Sequence, residues 1–361
     1  MKTAIIHEWL DSYSGSERVL EQMLLAFPQA DLFALCDFLP DSDRGFLHGR
    51  VPRTSFIQRL PFAEKRFRNY LQLMPIAVEQ FDLQGYDLVI SSSHAVAKGV
   101  ITGPGQRHIS YIHSPMRYAW DLQHQYLRQA GLTRGPKSLY TRWLLHRLRL
   151  WDQASAARPD VLLANSRYIA ERIGKAWRRE AAVLHPPVDL VGFPMRADKE
   201  DFFLIATRQV PYKRVELVVE AFATLPYRLV VVGDGPSAPL VTAAARGHAN
   251  IELRGRVGQA ELVALTQAAR GFVFAAEEDF GIVMVEAQAA GTPLIAYARG
   301  GAADIVVPGT GLLFQEQTAA AIRQAVLDFC AGPVPDPQAC RASAERFSEE
   351  AFRAGLLEHA R

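Results

Sequence analysis

Cysteine is scarce in this chain: Cys36, Cys330 and Cys340 are the only three in 361 residues, and none is spaced as a C-x-x-C pair. An odd, scattered set argues against a disulfide framework and a cysteine-built zinc site, and for a reduced, cytoplasmic setting. No stretch reaches the roughly 18 to 20 apolar residues that cross a bilayer. The run from Met1 to Ile6 is stopped by His7 and Glu8, well short of a signal-peptide core, and reads instead as a first strand. The expectation is a protein in solution or bound to a membrane from one side. A formal net charge of +2 is too small for a nucleic-acid binder, and no segment is low-complexity.

What the chain does have is alternation. Strand-like runs and helical patterns follow one another from end to end: 3–6, 32–36, 87–90, 108–112 and 161–164 in the first half, then 202–206, 228–232, 251–253, 272–275 and 294–297 in the second. Such alternation predicts α/β architecture with parallel sheets and crossover helices. The rhythm stops around Leu184 to Asp189, and the length exceeds one ordinary core. Two Rossmann-like, doubly wound domains are therefore expected, over 1–188 and 189–345, facing a cleft at the carboxyl ends of their strands. Residues 346–361 form a terminal helix, capped by Ser348, that is expected to cross back to the first domain.

Glu278 and Glu286 stand eight positions apart around Asp279-Phe280-Gly281-Ile282-Val283-Met284-Val285, after a strand-like run. Glutamates at this spacing are common on exposed helices. The context is what separates this pair: Phe280-Gly281 lies at a strand-to-helix junction, where the first helical N–H groups attract anions. One carboxylate is then placed for sugar hydroxyls and the other for a ribose. After the strand 202–206, Arg208 and Lys213 stand at the entry of the next helix, where their charges and the helix dipole converge on a diphosphate. An ordinary solvated loop would also carry such cations. Gly15, in Ser14-Gly15-Ser16, opens a helix whose amides are expected to meet the same phosphates.

Other signals are weaker. Gly233-Asp234-Gly235-Pro236-Ser237-Ala238 fits G-x-G-x-x-A with Glu252 downstream, but it follows the second strand of its domain and reads as a turn. His94, His108 and His113 lack the pattern of a zinc site; His113 is expected in the cleft and the others in structural or loop positions. Asp41-Ser42-Asp43 reads as a solvated loop. Two segments interleave basic and aromatic residues, Arg53 to Tyr70 and Leu139 to Trp151. These are expected either to lie on an anionic membrane or to pack their aromatics inward.

Taken together, Glu278 to Glu286, Arg208 with Lys213, Val232 to Pro236, Gly291-Thr292-Pro293 and Gly300-Gly301 resemble family 4 of the retaining GT-B glycosyltransferases. Tyr111 to Tyr118 and Pro186-Pro187-Val188-Asp189 are similar to the branch of bacterial O-antigen and exopolysaccharide mannosyltransferases. The resemblance implies transfer of a sugar, with retention and without a metal or other cofactor, from a nucleoside diphosphate donor to a glycan or polyprenyl-linked acceptor. It implies Arg208 and Lys213 as diphosphate ligands, Gly15 as the phosphate loop, Glu278 on the donor sugar and Glu286 on the ribose. It further implies Gly233 in the donor loop, backbone groups of Phe280, Gly281, Ile282 and Val283 along sugar and phosphate, Arg256 and Val257 beside the base, and His113 near the sugar.

GDP-mannose is the expected donor, and contact with an anionic membrane an expected further partner. Gly258-Gln259 stands where guanine-specific relatives can carry an acid, and Asp304 replaces the glutamate often found after the Gly-Gly pair. A UDP-sugar transferase, a nucleotide-sugar 2-epimerase and a non-catalytic nucleotide-binding module are the alternatives.

Overall fold

Buried apolar runs recurring through each half of the chain form two separate parallel sheets in the computed structural model, which describes residues Met1–Arg361. The chain folds as two compact units, one of Met1–His185 with Phe352–Arg361 and a second of Pro186–Ala351. The break at His185 falls within the aperiodic stretch, and the terminal helix Glu349–His359 returns to the first unit from Phe352 onward. Ser348 Oγ accepts from the Ala351 N–H at the start of that helix.

The first unit's strands are β1 Thr3–His7, β2 Asp31–Ala34, β3 Arg53–Thr54, β4 Leu88–Ser93, β5 Arg107–Ile112, β6 Val161–Ala164 and β7 Ala182–Val183. They lie in the order β3-β2-β1-β4-β5-β6-β7. Alternate residues feed opposite faces: Ala4, Ile6, Phe33 and Val89 enter one core, while Ile5, Leu32, Leu88 and Ile90 enter the other. Burial on both faces is what a parallel sheet under crossover helices requires.

The second unit's strands are β8 Glu200–Ala206, β9 Arg228–Val232, β10 Ile251–Gly255, β11 Ala269–Phe274, β12 Leu294–Tyr297 and β13 Gly311–Phe314, in the order β10-β9-β8-β11-β12-β13. Here Phe202, Leu204 and Val230 pack on one side and Phe203, Ile205 and Leu229 on the other. In both sheets the strand order reverses at a switch point, β1/β4 in the first and β8/β11 in the second. Loops leaving the carboxyl ends of such neighbours diverge and leave a crevice, the position where ligands bind open α/β sheets.

Arg53 to Tyr70, one of the two basic and aromatic segments, is broken into β3, a 3-10 turn Phe56–Arg59, a short helix Ala63–Arg66 and a second 3-10 turn Phe67–Tyr70, so its side chains do not share one helical face. Phe62 adopts a left-handed backbone at φ 57° and interrupts the pattern. The other basic and aromatic segment lies within one long helix, Pro136–Ser155.

Candidate active site

In the second unit, β8 ends at Ala206 and β11 at Phe274, and the loops that follow bring Lys213 against Glu278. Lys213 Nζ donates to Glu278 Oε1. Lys213 is buried, its ammonium 5.2 Å from the centre of the Phe274 ring and 5.3 Å from that of Tyr212. The other oxygen, Glu278 Oε2, is buried and has no hydrogen-bond partner. An unsatisfied buried acceptor is unfavourable by about 1–3 kcal/mol.

Glycines fix this loop. Glu278 pairs in parallel with Gly300, and its carbonyl accepts from the Gly301 N–H at 2.9 Å. Gly300 has φ +72°, and a Cβ there would collide with the Glu278 backbone, as one on Gly301 would with Phe280. Gly281, at φ +96°, is the N-cap of the helix Ile282–Ala289, which carries Glu286 as a buried residue. The Phe280 side chain turns inward, 5.4 Å from the Phe347 ring centre, so only its backbone serves the loop. Ile282, Val283 and Val257 are partly buried against the same core.

Arg208 opens a second feature, a pocket of about 480 Å³ lined by Arg208, Gly233, Asp234, Gly235 and Arg256. Its floor is two backbone loops in close apposition: Gln209 N–H donates to the Asp234 carbonyl at 2.9 Å, and Gly233 N–H to the Gly255 carbonyl at 2.7 Å. A side chain at Gly233 or Gly235 would strike the Thr207 or Gln209 backbone. The G-x-G motif therefore makes this contact between loops and no Rossmann fingerprint. Gln209, which carries no distinguishing mark in the sequence, donates from Nε2 to the Gly233 carbonyl at 2.8 Å and leaves its buried Oε1 without a partner.

In the first unit, Gly15 begins the helix Gly15–Ala26, where Ser14 and Glu17 form a capping box. His113 lies just past β5, its Nε2 2.9 Å from Ser92 Oγ and its main-chain N–H donating to the Ser93 carbonyl. Burial, with the charges of His94 and His7, pushes the His113 imidazole down to about 3. His108 is a buried structural histidine, bonded through Nε2 to Ser91 at 2.9 Å and likewise pushed down to about 3 by burial. A pocket of about 410 Å³ opens between Trp9, Arg68, His94, Ser114, Arg117 and Tyr118. Trp9 carried no mark in the sequence, and Arg68 registered only as one of the basic residues of the Arg53 to Tyr70 segment. Asp41–Asp43 is an exposed 3-10 turn.

The family profile described as Glycosyltransferase Family 4 matches residues 13–191, and the one described as Glycosyl transferases group 1 matches residues 193–352. The chain belongs to glycosyltransferase family 4. It is 30% identical over 217 residues to the D-rhamnosyltransferase WbpZ of Pseudomonas aeruginosa, across 55% of this chain and 54% of that one. It is also 30% identical over 206 residues to the GDP-mannose-dependent alpha-(1-6)-phosphatidylinositol monomannoside mannosyltransferase of Mycolicibacterium smegmatis, across 48% of this chain and 54% of that one. The chain spans about half the length of the curated relatives it matches. The structure of HepE from Anabaena in complex with UDP and glucose superimposes with a TM-score of 0.70 at 14% identity, over 100% of this chain and 99% of that one. This family 4 chain thus has the GT-B fold, with two Rossmann-like parallel-sheet domains.

Proposed function

We propose that the protein is a retaining glycosyltransferase that moves mannose from GDP-mannose to a lipid-linked or oligosaccharide acceptor in bacterial surface polysaccharide synthesis. The observation that carries this reading is Glu278: one carboxylate oxygen is held by Lys213 and the other is buried without a partner. A donor-sugar hydroxyl supplies the hydrogen bond that Oε2 lacks, and the paired lysine stands ready for the phosphate beside that sugar. The diphosphate charge is met by Arg208 and Lys213, Arg256 and Val257 lie beside the base, and the reaction needs no metal in this reading. Such groups act most strongly where charge develops on the departing diphosphate. Glu286 takes the ribose, Gly15 and its helix the phosphate, and His113 the sugar. The leaving phosphate itself accepts the acceptor's proton, so no side chain serves as nucleophile.

Family membership supports transfer, and relatives named as GDP-mannose-dependent support the donor. Gly258-Gln259, where guanine-specific relatives can carry an acid, favours a UDP-sugar as the second reading. Thermal-shift measurements with GDP, UDP, GDP-mannose and UDP-glucose separate the two. Stabilisation by the guanine species supports the first reading, and stabilisation by the uridine species alone replaces it.

The proposal places the protein in the cytoplasm at the inner face of the membrane. No helix is long and apolar enough to cross a membrane. Support comes from Phe62, Leu139, Tyr140 and Trp143, all exposed beside Lys65, Arg66, Arg142 and Arg147. Tyr140 donates to Gln72 Oε1 at 2.5 Å, just past the first of the two basic segments. Salt-sensitive sedimentation with anionic vesicles is the expected result; no binding at low salt would remove the membrane from the account.

A further inference from the structure

We propose that Glu17, His7 and Ser92 form a hydrogen-bonded chain that fixes the tautomer of His113, keeping the proton on Nε2 and a lone pair on Nδ1. The inference rests on the reading that His113 faces the sugar being transferred. Parallel register sets His7, the last residue of β1, beside Ser92 of β4, and β4 is in turn flanked by β5, after which His113 follows. His7 Nε2 lies 3.2 Å from Glu17 Oε1, His7 Nδ1 3.2 Å from Ser92 Oγ, and Ser92 Oγ 2.9 Å from His113 Nε2. His7, Glu17 and Ser92 are all buried, which shields the chain from exchange with solvent partners.

The direction of the chain follows from counting protons. The second oxygen of Glu17 accepts from the Ser14 N–H at 3.1 Å, the Ser14 hydroxyl at 2.7 Å and the Ser16 hydroxyl at 3.0 Å. Burial alone would raise this carboxyl; the His7 hydrogen bond and charge, then Ser14 and Ser16, outweigh it and bring it down to about 2. An ionised carboxylate only accepts, so His7 donates from Nε2. With His7 neutral, its Nδ1 is then an acceptor and takes the single hydroxyl proton of Ser92, whereas an imidazolium there would donate from both nitrogens and reverse the chain. The Ser92 oxygen is left to accept from His113, which must carry its proton on Nε2. His113 Nδ1 presents a lone pair and accepts a hydrogen bond from a hydroxyl. Tyr111 and His94 pack edge-on against the His113 ring at centroid distances of 5.2 and 6.2 Å.

Glu17, His7 and Ser92 are positioning residues, since none of them would meet the donor. The arrangement ties His113 to the phosphate loop, because the carboxylate that orients the relay also caps the helix beginning at Gly15.

Long-range 1H–15N spectra of the full chain labelled with 15N-histidine read the tautomer directly, with His113 assigned through a His113→Asn variant. The wild type is expected to show His113 protonated on Nε2, and Ser92→Ala to lose that preference. In the same variant kcat falls about tenfold or more while the KM for the nucleotide sugar changes less than about twofold, and Ser92→Thr restores both tautomer and rate. A wild-type His113 protonated on Nδ1, or an Nε2 proton retained in Ser92→Ala, overturns the proposal. The wild-type spectrum decides the matter even where Ser92→Ala fails to fold. A protein without transferase activity would leave the spectra unchanged, so the relay and the functional reading fail separately.

Discussion

Lys213 and Glu278 are 65 positions apart in sequence and form an ion pair at the carboxyl ends of neighbouring strands of the second sheet. The lysine side chain is 8% exposed and the glutamate 23%. Each thus stabilises the charge of the other in a partly dry setting, while Glu278 retains one unpaired oxygen. Lys213→Ala and Glu278→Ala are each expected to lower turnover about a hundredfold or more with the fold retained. Because they act as one unit, the double variant should be little worse than either single one. Steady-state rates with circular dichroism check this, and wild-type rates in Lys213→Ala would remove the lysine from the site.

Gly300→Ala tests the loop beneath that pair. A methyl group there meets the Glu278 backbone and imposes a side chain on a φ of +72°. Stability is expected to fall by about 1–3 kcal/mol, with Glu278 displaced and turnover lost in the same variant. Chemical denaturation and rate measurements on one preparation check both outcomes.

The strands of both sheets were largely legible because buried apolar runs such as Leu229–Val232 and Leu294–Ala296 leave an unmistakable signal between polar turns. The two-residue strands β3 and β7 were not, since Arg53-Thr54 and Ala182-Val183 have no run to recognise. β13 was also missed, because Gly311 opens it and its burial is only partial. At the site, Arg208, Lys213, Glu278 and Glu286 stood out by their places at strand ends and helix entries. That Lys213 pairs with Glu278, or that Gly300 packs on the Glu278 backbone, depends on tertiary neighbours that local spacing does not encode. His7 registered only as the end of an apolar run, and Glu17 only as part of a loop. The Ser14 to Glu17 capping-box spacing was the one available hint that this loop is held in a fixed geometry.

Acid should weaken the fold through its buried titrating groups. Burial lowers His108 and His113 to about 3, and it also lowers His94, while the unfolded chain takes up these protons near the ordinary histidine value of 6.5. The unfolded state therefore binds more protons below that value, and stability falls as pH drops from 6.5 toward 3. Glu17 acts in the same direction: its contribution is complete above 4.5 and is lost as pH falls toward 2. Thermal unfolding between about pH 7 and about pH 4 should show a continuous loss, reduced in a His108→Asn variant. A flat profile would contradict these assignments.

A buried ion pair supports the first unit away from the site. Lys98 Nζ lies 2.5 Å from Asp152 Oδ1, and the indole N–H groups of Trp120 and Trp177 each donate to Asp152 Oδ2 at 2.7 Å. Asp152→Ala leaves Lys98 charged and buried, and is expected to destabilise by about 3–5 kcal/mol. Urea unfolding followed by tryptophan fluorescence measures it; a change below about 1 kcal/mol would place the lysine charge elsewhere.

Calorimetric titration of GDP-mannose into the full chain, beside Arg208→Ala and Glu286→Ala, tests the assignment of the donor site most directly. Binding at one site per chain, weakened about tenfold or more in each variant, is the predicted result. Absence of binding, or an affinity that neither substitution changes, would contradict a nucleotide-sugar site built on these residues.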